Sequence, residues 1–225
     1  MTRILRLGNA SYGHWRVRVQ VFALALAAAL TAVGAPAGAR PLHVVAHGDS
    51  LTAGYGLAPG EAFPDALQRA LTARGWDVAV ANAGVSGETA EDGLARYDWS
   101  VPAGTDALIV ELGANDMLRG LDPAAAEAAL GQILEKARAA HIATLLAGMR
   151  AAPNLGPDYQ RRFDAIYPDL AKTYGVALYP FFLDGAIGDP KLVQGDGLHP
   201  TREGVEKIVA AILPSVEGVL AEIKP

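Results

Sequence analysis

A serine directly behind a glycine–aspartate pair, in Gly48-Asp49-Ser50-Leu51, is the first group in this chain placed to do chemistry. Glycine permits a sharp exit from a strand. A serine at the start of the next helical turn then has an exposed hydroxyl beside unpaired backbone N–H groups. A hydroxyl becomes a nucleophile only when a base takes its proton, and the base needs a partner that fixes its tautomer. Asp196-Gly197-Leu198-His199-Pro200 supplies that pair. An aspartate three residues before a histidine reaches the Nδ1–H if the segment is a turn. Gly197 allows the turn, and Pro200 biases His199 towards an extended backbone, leaving Nε2 to face Ser50. Acyl transfer also needs donors aimed at a tetrahedral oxyanion. Gly84 could offer an unobstructed N–H, and Asn115 an amide N–H2. Each residue alone also has an ordinary reading, as helix cap, solvated loop histidine or turn former.

Other chemistries find less support. There is no cysteine, which excludes thiol catalysis, thiolate metal sites and disulfides. No two histidines have metal-ligand spacing, and Asp196 with His199 alone would make a poor site, so no metal or cofactor is expected. No P-loop or G-x-G-x-x-G occurs. Asp49 is expected to bond local backbone amides, Asp116 to order its loop, and Glu88 to cap the following helix. His43 and His141 lie in or beside core elements, and Arg161-Arg162 reads as a solvated helix face.

The scaffold must bring these groups together. Residues 42–47 read as a first strand, 76–81 as a second, 107–112 as a third, 142–147 as a fourth and 176–179 as a fifth. Between them, Phe63, Ala66, Leu67, Ala70 and Leu71 fall at helical spacing, and residues 89–97 suit a short helix. Asp122-Pro123 opens a helix running to about residue 140. Tyr159, Phe163, Ile166, Leu170 and Tyr174 stripe another, closed by Gly175. A final helix begins near Thr201, and Pro214 should kink or break it. Five strands alternating with helices predict a parallel sheet covered on both faces, an α/β/α sandwich in one domain. Ligands of such folds sit at the carboxyl ends of the strands, where Ser50, Gly84 and Asn115 all fall.

Residues 1–20 carry Arg3, Arg6, Arg16 and Arg18 and no acid; residues 21–33 (VFALALAAALTAV) are apolar; Ala37-Gly38-Ala39 is an A-x-A pattern. That succession predicts a secretory signal peptide over residues 1–39, cleaved after Ala39, and a periplasmic or secreted domain over residues 40–225. The apolar run is shorter than the roughly 20 residues a spanning helix needs, so no stable membrane insertion is expected after cleavage. Losing the four arginines leaves 15 basic side chains against 24 acids, a formal charge near −9. Such a surface gives no reason to expect a nucleic-acid partner.

Four blocks then occur in order: Gly48-Asp49-Ser50-Leu51-Thr52-Ala53-Gly54-Tyr55-Gly56, Asn82-Ala83-Gly84-Val85-Ser86-Gly87-Glu88-Thr89, Gly113-Ala114-Asn115-Asp116 and Asp196-Gly197-Leu198-His199-Pro200. With them the chain resembles the SGNH hydrolases, or GDSL esterases and lipases, across nearly the whole mature domain. Within that family it resembles a bacterial periplasmic branch described as acyl-CoA thioesterase, lysophospholipase and arylesterase. The resemblance implies a flavodoxin-like three-layer sandwich with a five-stranded parallel sheet. It also implies a serine esterase acting on acyl esters and thioesters through an acyl-serine. Ser50 would be the nucleophile, His199 the base and Asp196 its orienting acid. The oxyanion hole would be Ser50 N–H, Gly84 N–H and the Asn115 side chain. One departure is His47, where an apolar residue is more usual; it reads as a strand residue pointing into the sheet's cover. An α/β-hydrolase elbow, G-x-S-x-G, is excluded by Thr52 and Glu88. By position, Met117, Leu118, Leu121 and Leu155 should wall an acyl groove. The expected partner is a small acyl ester or thioester, and the expected state a monomer. A carbohydrate O-acetyl esterase and a non-catalytic binding module on the same fold are the rival readings.

Overall fold

Strand β3 (Ala107–Glu111) is the axis of the fold, and all five of its residues are buried. A strand covered on both faces must be nearly continuous in apolar residues, as Ala107 to Val110 are. In the computed structural model, which describes residues 40–223, β1 (Leu42–Gly48) and β4 (Ala143–Ala147) flank β3. Beyond them lie β2 (Val78–Gly84) and β5 (Ala177–Tyr179). The expected leader and its cleavage point after Ala39 fall outside the described residues. Every strand pair is parallel, in the order β2-β1-β3-β4-β5, which is the flavodoxin-like order.

From β1 the chain moves outward to β2 in one direction, and from β3 to β4 and β5 in the other. Right-handed crossovers therefore put the connecting helices on opposite faces. Helices α2 (Phe63–Ala73) and α8 (Arg202–Ala221) pack together on one side, and α6 (Pro123–Ala139) and α7 (Pro157–Tyr174) on the other. Their buried stripes recur at three- and four-residue steps: Leu130, Ile133, Leu134 and Ala137 in α6, and Val205, Ile208, Val209 and Ile212 in α8. Four shorter helices serve the loops: α1 (Ser50–Ala53), α3 (Ala90–Ala95), α4 (Tyr97–Ser100) and α5 (Ala114–Leu118).

Two departures from the sequence reading have physical causes. Helix α8 runs through Pro214. The carbonyl this proline leaves without an N–H partner belongs to Ala210, and both residues are exposed, so that carbonyl is open to solvent rather than orphaned in the core. Pro168 sits in α7 in the same way, above exposed Asp164. Strand β2 is displaced by two to three residues towards the carboxyl end, because Val78–Gly84 pairs with β1 along its full length, up to Gly48 opposite Gly84.

The strand order reverses between β1 and β3, which opens a crevice at their carboxyl ends. Ser50 follows β1 and Asn115 follows β3, so they stand on its two sides.

His47, within β1, is fully buried. Its Nε2–H donates to Gly93 O at 3.0 Å, and its Nδ1 accepts from Arg96 Nη1 at 3.2 Å. Burial, then the Arg96 charge, lowers its pKa from the usual 6.5 to about 4. Between those values the unfolded chain binds a proton that the folded one refuses, so acidification through that window costs stability. Between pH 6.5 and pH 5 the wild type should lose about 1–2 kcal/mol more unfolding free energy than His47→Gln, measured by urea titration. Equal losses would contradict a neutral, buried His47.

Candidate active site

Residue 50 is where the chain leaves the sheet. Gly48 is required by close approach: a Cβ there would collide with Thr52 Oγ1 and lie 2.6 Å from the Glu111 carboxyl. Asp49 caps α1, its Oδ1 accepting from Leu51 N at 2.9 Å, as a capping aspartate should. Ser50 is thereby the first residue of α1, and its Oγ–H donates to His199 Nε2 at 2.9 Å. His199 Nδ1–H donates to Asp196 Oδ2 at 2.6 Å. The other carboxylate oxygen, Oδ1, accepts from the backbone N–H of Leu198 (2.9 Å) and of His199 (3.1 Å). These bonds, that from Leu198 foremost, hold the exposed Asp196 carboxyl ionised with a pKa lowered to about 2.

Gln194 fastens the histidine loop across the site. Its N–H donates to His199 O at 2.7 Å, and its Nε2 donates to Tyr55 O (2.7 Å) and Pro200 O (3.0 Å). The Tyr55 ring packs on the imidazole with centroids 4.6 Å apart.

Asn115 Nδ2 donates to Asp49 Oδ2 at 2.9 Å and to Glu88 O at 3.0 Å, so both of its hydrogens are engaged in the free enzyme. Asp49 is fully buried, and burial raises its pKa to about 6 despite the bonds from Leu51 and Asn115. Glu111 lies beneath it, also fully buried, accepting from Thr52 Oγ at 2.7 Å. Burial, reinforced by the Asp49 charge, pushes the Glu111 carboxyl well above the usual carboxylate range. Arg96 braces the same floor. It pairs with the Glu88 carboxylate, donates to Gly48 O at 2.9 Å and to Ser100 Oγ at 2.7 Å, and reaches His47.

Two expectations about the loops around the site need correction. Gly84 is not at the oxyanion position: its N–H donates to Asn82 Oδ1 at 3.0 Å, and it does not line the groove. Gly84 is a packing glycine, because a Cβ there would strike the Ala53 amide and lie 2.8 Å from Asp49 O. Gly87, three residues on, lines the groove with Ser50 and Asn115, and its N–H has no hydrogen bond among the described residues. Glu88 does not cap α3. Thr89 does, in a capping box with Asp92, while Glu88 serves Arg96. Asp116 does order its neighbourhood, accepting from Ala90 N at 2.9 Å.

The groove beside Ser50 encloses about 650 Å³ and is largely apolar. Met117 and Leu118 line it as expected. Leu121 and Leu155 do not: Leu121 is exposed past the end of α5, and Leu155 packs on the core. Met149, Phe181, Leu183 and Ile187 complete the walls. They come from loops after β4 and β5 whose paths the strand pattern did not fix. A larger cavity, about 810 Å³, opens at the opposite ends of the strands near Arg138 and His141 and holds no serine–histidine pair.

A serine, a histidine and an aspartate in one hydrogen-bonded line at a crevice of a flavodoxin-like sheet define a serine hydrolase site. The chain belongs to the GDSL-like Lipase/Acylhydrolase family, whose model matches residues 46–207. It is 37% identical over 193 residues to esterase TesA of Pseudomonas aeruginosa, covering 85% of this chain and 95% of that one. It is 40% identical over 157 residues to thioesterase 1/protease 1/lysophospholipase L1 of Escherichia coli, covering 69% and 74%. The solved structure of AlinE4, an SGNH-hydrolase family esterase, matches with 48% identity and a TM-score of 0.68 over 81% of this chain and 98% of that one. The chain is an ester hydrolase of this family.

Gln194 touches no reacting atom but holds the loop that carries the base. Gln194→Ala should lower kcat on a short soluble ester by about ten- to a hundredfold while KM changes little. Steady-state kinetics check this, and an unchanged kcat would remove Gln194 from the positioning of His199.

Proposed function

We propose that Ser50, His199 and Asp196 hydrolyse medium- and long-chain acyl esters and thioesters by way of an acyl-Ser50 intermediate. The observation that carries this reading is the unbroken line Ser50 Oγ–His199 Nε2, His199 Nδ1–Asp196 Oδ2 at the mouth of an apolar groove. His199 takes the Ser50 proton as Oγ attacks the acyl carbon, and the Asp196 carboxylate stabilises the imidazolium. His199 then protonates the departing alcohol or thiol. Water, deprotonated by His199, attacks the acyl-Ser50 carbonyl, and the acid is released as His199 returns that proton to Ser50 Oγ. The oxyanion donors in this reading are Ser50 N–H, Gly87 N–H and Asn115 Nδ2, so Gly87 replaces Gly84. Because both Asn115 hydrogens already have acceptors, the oxyanion must displace Glu88 O or Asp49 Oδ2. Its interaction is a difference between two hydrogen bonds rather than a whole one.

The relatives' names, esterase and thioesterase/lysophospholipase, agree with a substrate that ends in an acyl chain. A groove of about 650 Å³ lined by Met117, Leu118, Met149 and Phe181 favours such a chain over an acetyl group on a sugar. The arginine-rich start, the apolar run and Ala37-Gly38-Ala39 support export as the location of the reaction. Among the described residues no helix is long and apolar enough to cross a membrane.

Ser50→Ala should be inert towards p-nitrophenyl esters, and Asn115→Ala should lose about a hundred- to a thousandfold in kcat. Octanoyl esters should have a higher kcat/KM than acetyl esters. Turnover by Ser50→Ala would discard the mechanism, and a preference for acetyl would favour the O-acetyl esterase reading.

A further inference from the structure

Seven large apolar side chains are exposed among the described residues, and six of them stand at the carboxyl ends of the strands, five on loops and Leu118 at the last position of α5. These are Tyr55, Val85, Leu118, Leu121, Ile187 and Leu198; the seventh, Trp99, is in α4. Four of the six also line the groove that holds Ser50. Val85 adjoins the lining residue Ser86, and Arg119 ties the loops of Val85 and Leu121 together by donating to Gly87 O. The apolar surface is therefore a rim continuous with the groove, where isolated exposed leucines would be scattered. Guanidinium groups stand at its edge: Arg119 is exposed, and Arg150 lies 5.1 Å from the Phe181 ring centroid. The Ile187 loop also brings Asp184 and Asp189, both exposed. Cations and anions on one apolar rim match a surface that carries both signs, and disfavour a purely anionic one.

We propose that this rim docks on the surface of a zwitterionic phospholipid aggregate. A single-chain amphiphile then passes from the lipid phase into the groove without exposing its acyl chain to water. The arginines would meet phosphates, the aspartates the head-group cations, and the apolar side chains the interface. The inference rests on the hydrolase reading, from which it takes the groove as destination.

The test compares the full chain with Val85→Ser/Leu121→Ser and with Trp99→Ser, all carrying the same N-terminal segment. Val85 and Leu121 lie outside the groove, so kcat/KM on monomeric p-nitrophenyl acetate should stay within about twofold, which also reports folding. Co-sedimentation with vesicles of ether-linked phosphocholine lipid, which has no ester to cleave, should weaken by about tenfold in the double variant and not in Trp99→Ser. Equal sedimentation of the double variant and the parent overturns the proposal, as does an equal loss in Trp99→Ser. A protein partner would then be the better occupant of the rim. Absence of p-nitrophenyl acetate turnover in the parent would instead overturn the hydrolase reading, so the two failures are distinguishable. If the double variant loses that turnover, Leu121→Ser alone decides by the same sedimentation.

Discussion

One hydrogen bond, from Ser50 Oγ to His199 Nε2, joins residues 149 positions apart, and the fold can be understood as what that contact requires. Each partner is local to its own segment. Ser50 is fixed by a four-residue helix and its Asp49 cap, and His199 by Asp196 three residues earlier. Bringing the segments together demands a rigid sheet whose central strands are buried on both faces. It also demands a late loop tied down on the far side of β1. Gln194 is that tie, with three hydrogen bonds spanning Tyr55, His199 and Pro200. A misplacement of about 1 Å at this contact would cost as much rate as losing a good oxyanion donor.

Beneath the nucleophile lies an unusual floor for an enzyme core: two carboxyls, a histidine and an arginine. Asp49 and Glu111 have raised pKa values, and His47 has a lowered one, all chiefly because burial penalises charge. A neutral His47 and a Glu111 that resists ionisation lower the cost of uncompensated buried charge, while Arg96 pairs with Glu88. The floor holds the amide of Asn115 and the carbonyl of Gly48, so the same polar groups that cost stability aim the donors. Asp49 and His47 act with opposite sign on stability below neutral pH. Protonation of Asp49 is favoured in the folded state between about pH 4 and 6, whereas protonation of His47 is resisted there.

Residues whose partners are near in sequence were legible. The Asp196–His199 pair, the Asp49 cap, the Asp122-Pro123 helix start and all five strands follow from spacing and local chemistry, whereas Ser50, 149 positions from His199, is joined to that pair only through its place at the end of β1. Errors arose where the answer depended on an element's end. Ending β2 at residue 81 makes Gly84 a loop glycine; its true end at Gly84 moves the loop, and the glycine that lines the groove, three residues on to Gly87. Leu121 failed as a groove residue for the same reason, since the chain has already left α5. Arg96, Glu111 and Gln194 carried no local signal. Glu111 sits within an otherwise apolar strand and meets Thr52 only through the parallel sheet, and Arg96 meets Gly48 across 48 positions.

The most direct measurement is the crystal structure of the protein after reaction with an alkyl fluorophosphonate. The expected map has phosphorus bonded to Ser50 Oγ, with His199 Nε2 within hydrogen-bonding distance of the adduct. The phosphoryl oxygen should face Ser50 N–H, Gly87 N–H and Asn115 Nδ2 at about 2.7–3.1 Å, and the alkyl chain should lie along Met117 and Phe181. Phosphorus on any other residue, or a phosphoryl oxygen turned away from Gly87 and Asn115, would contradict this site.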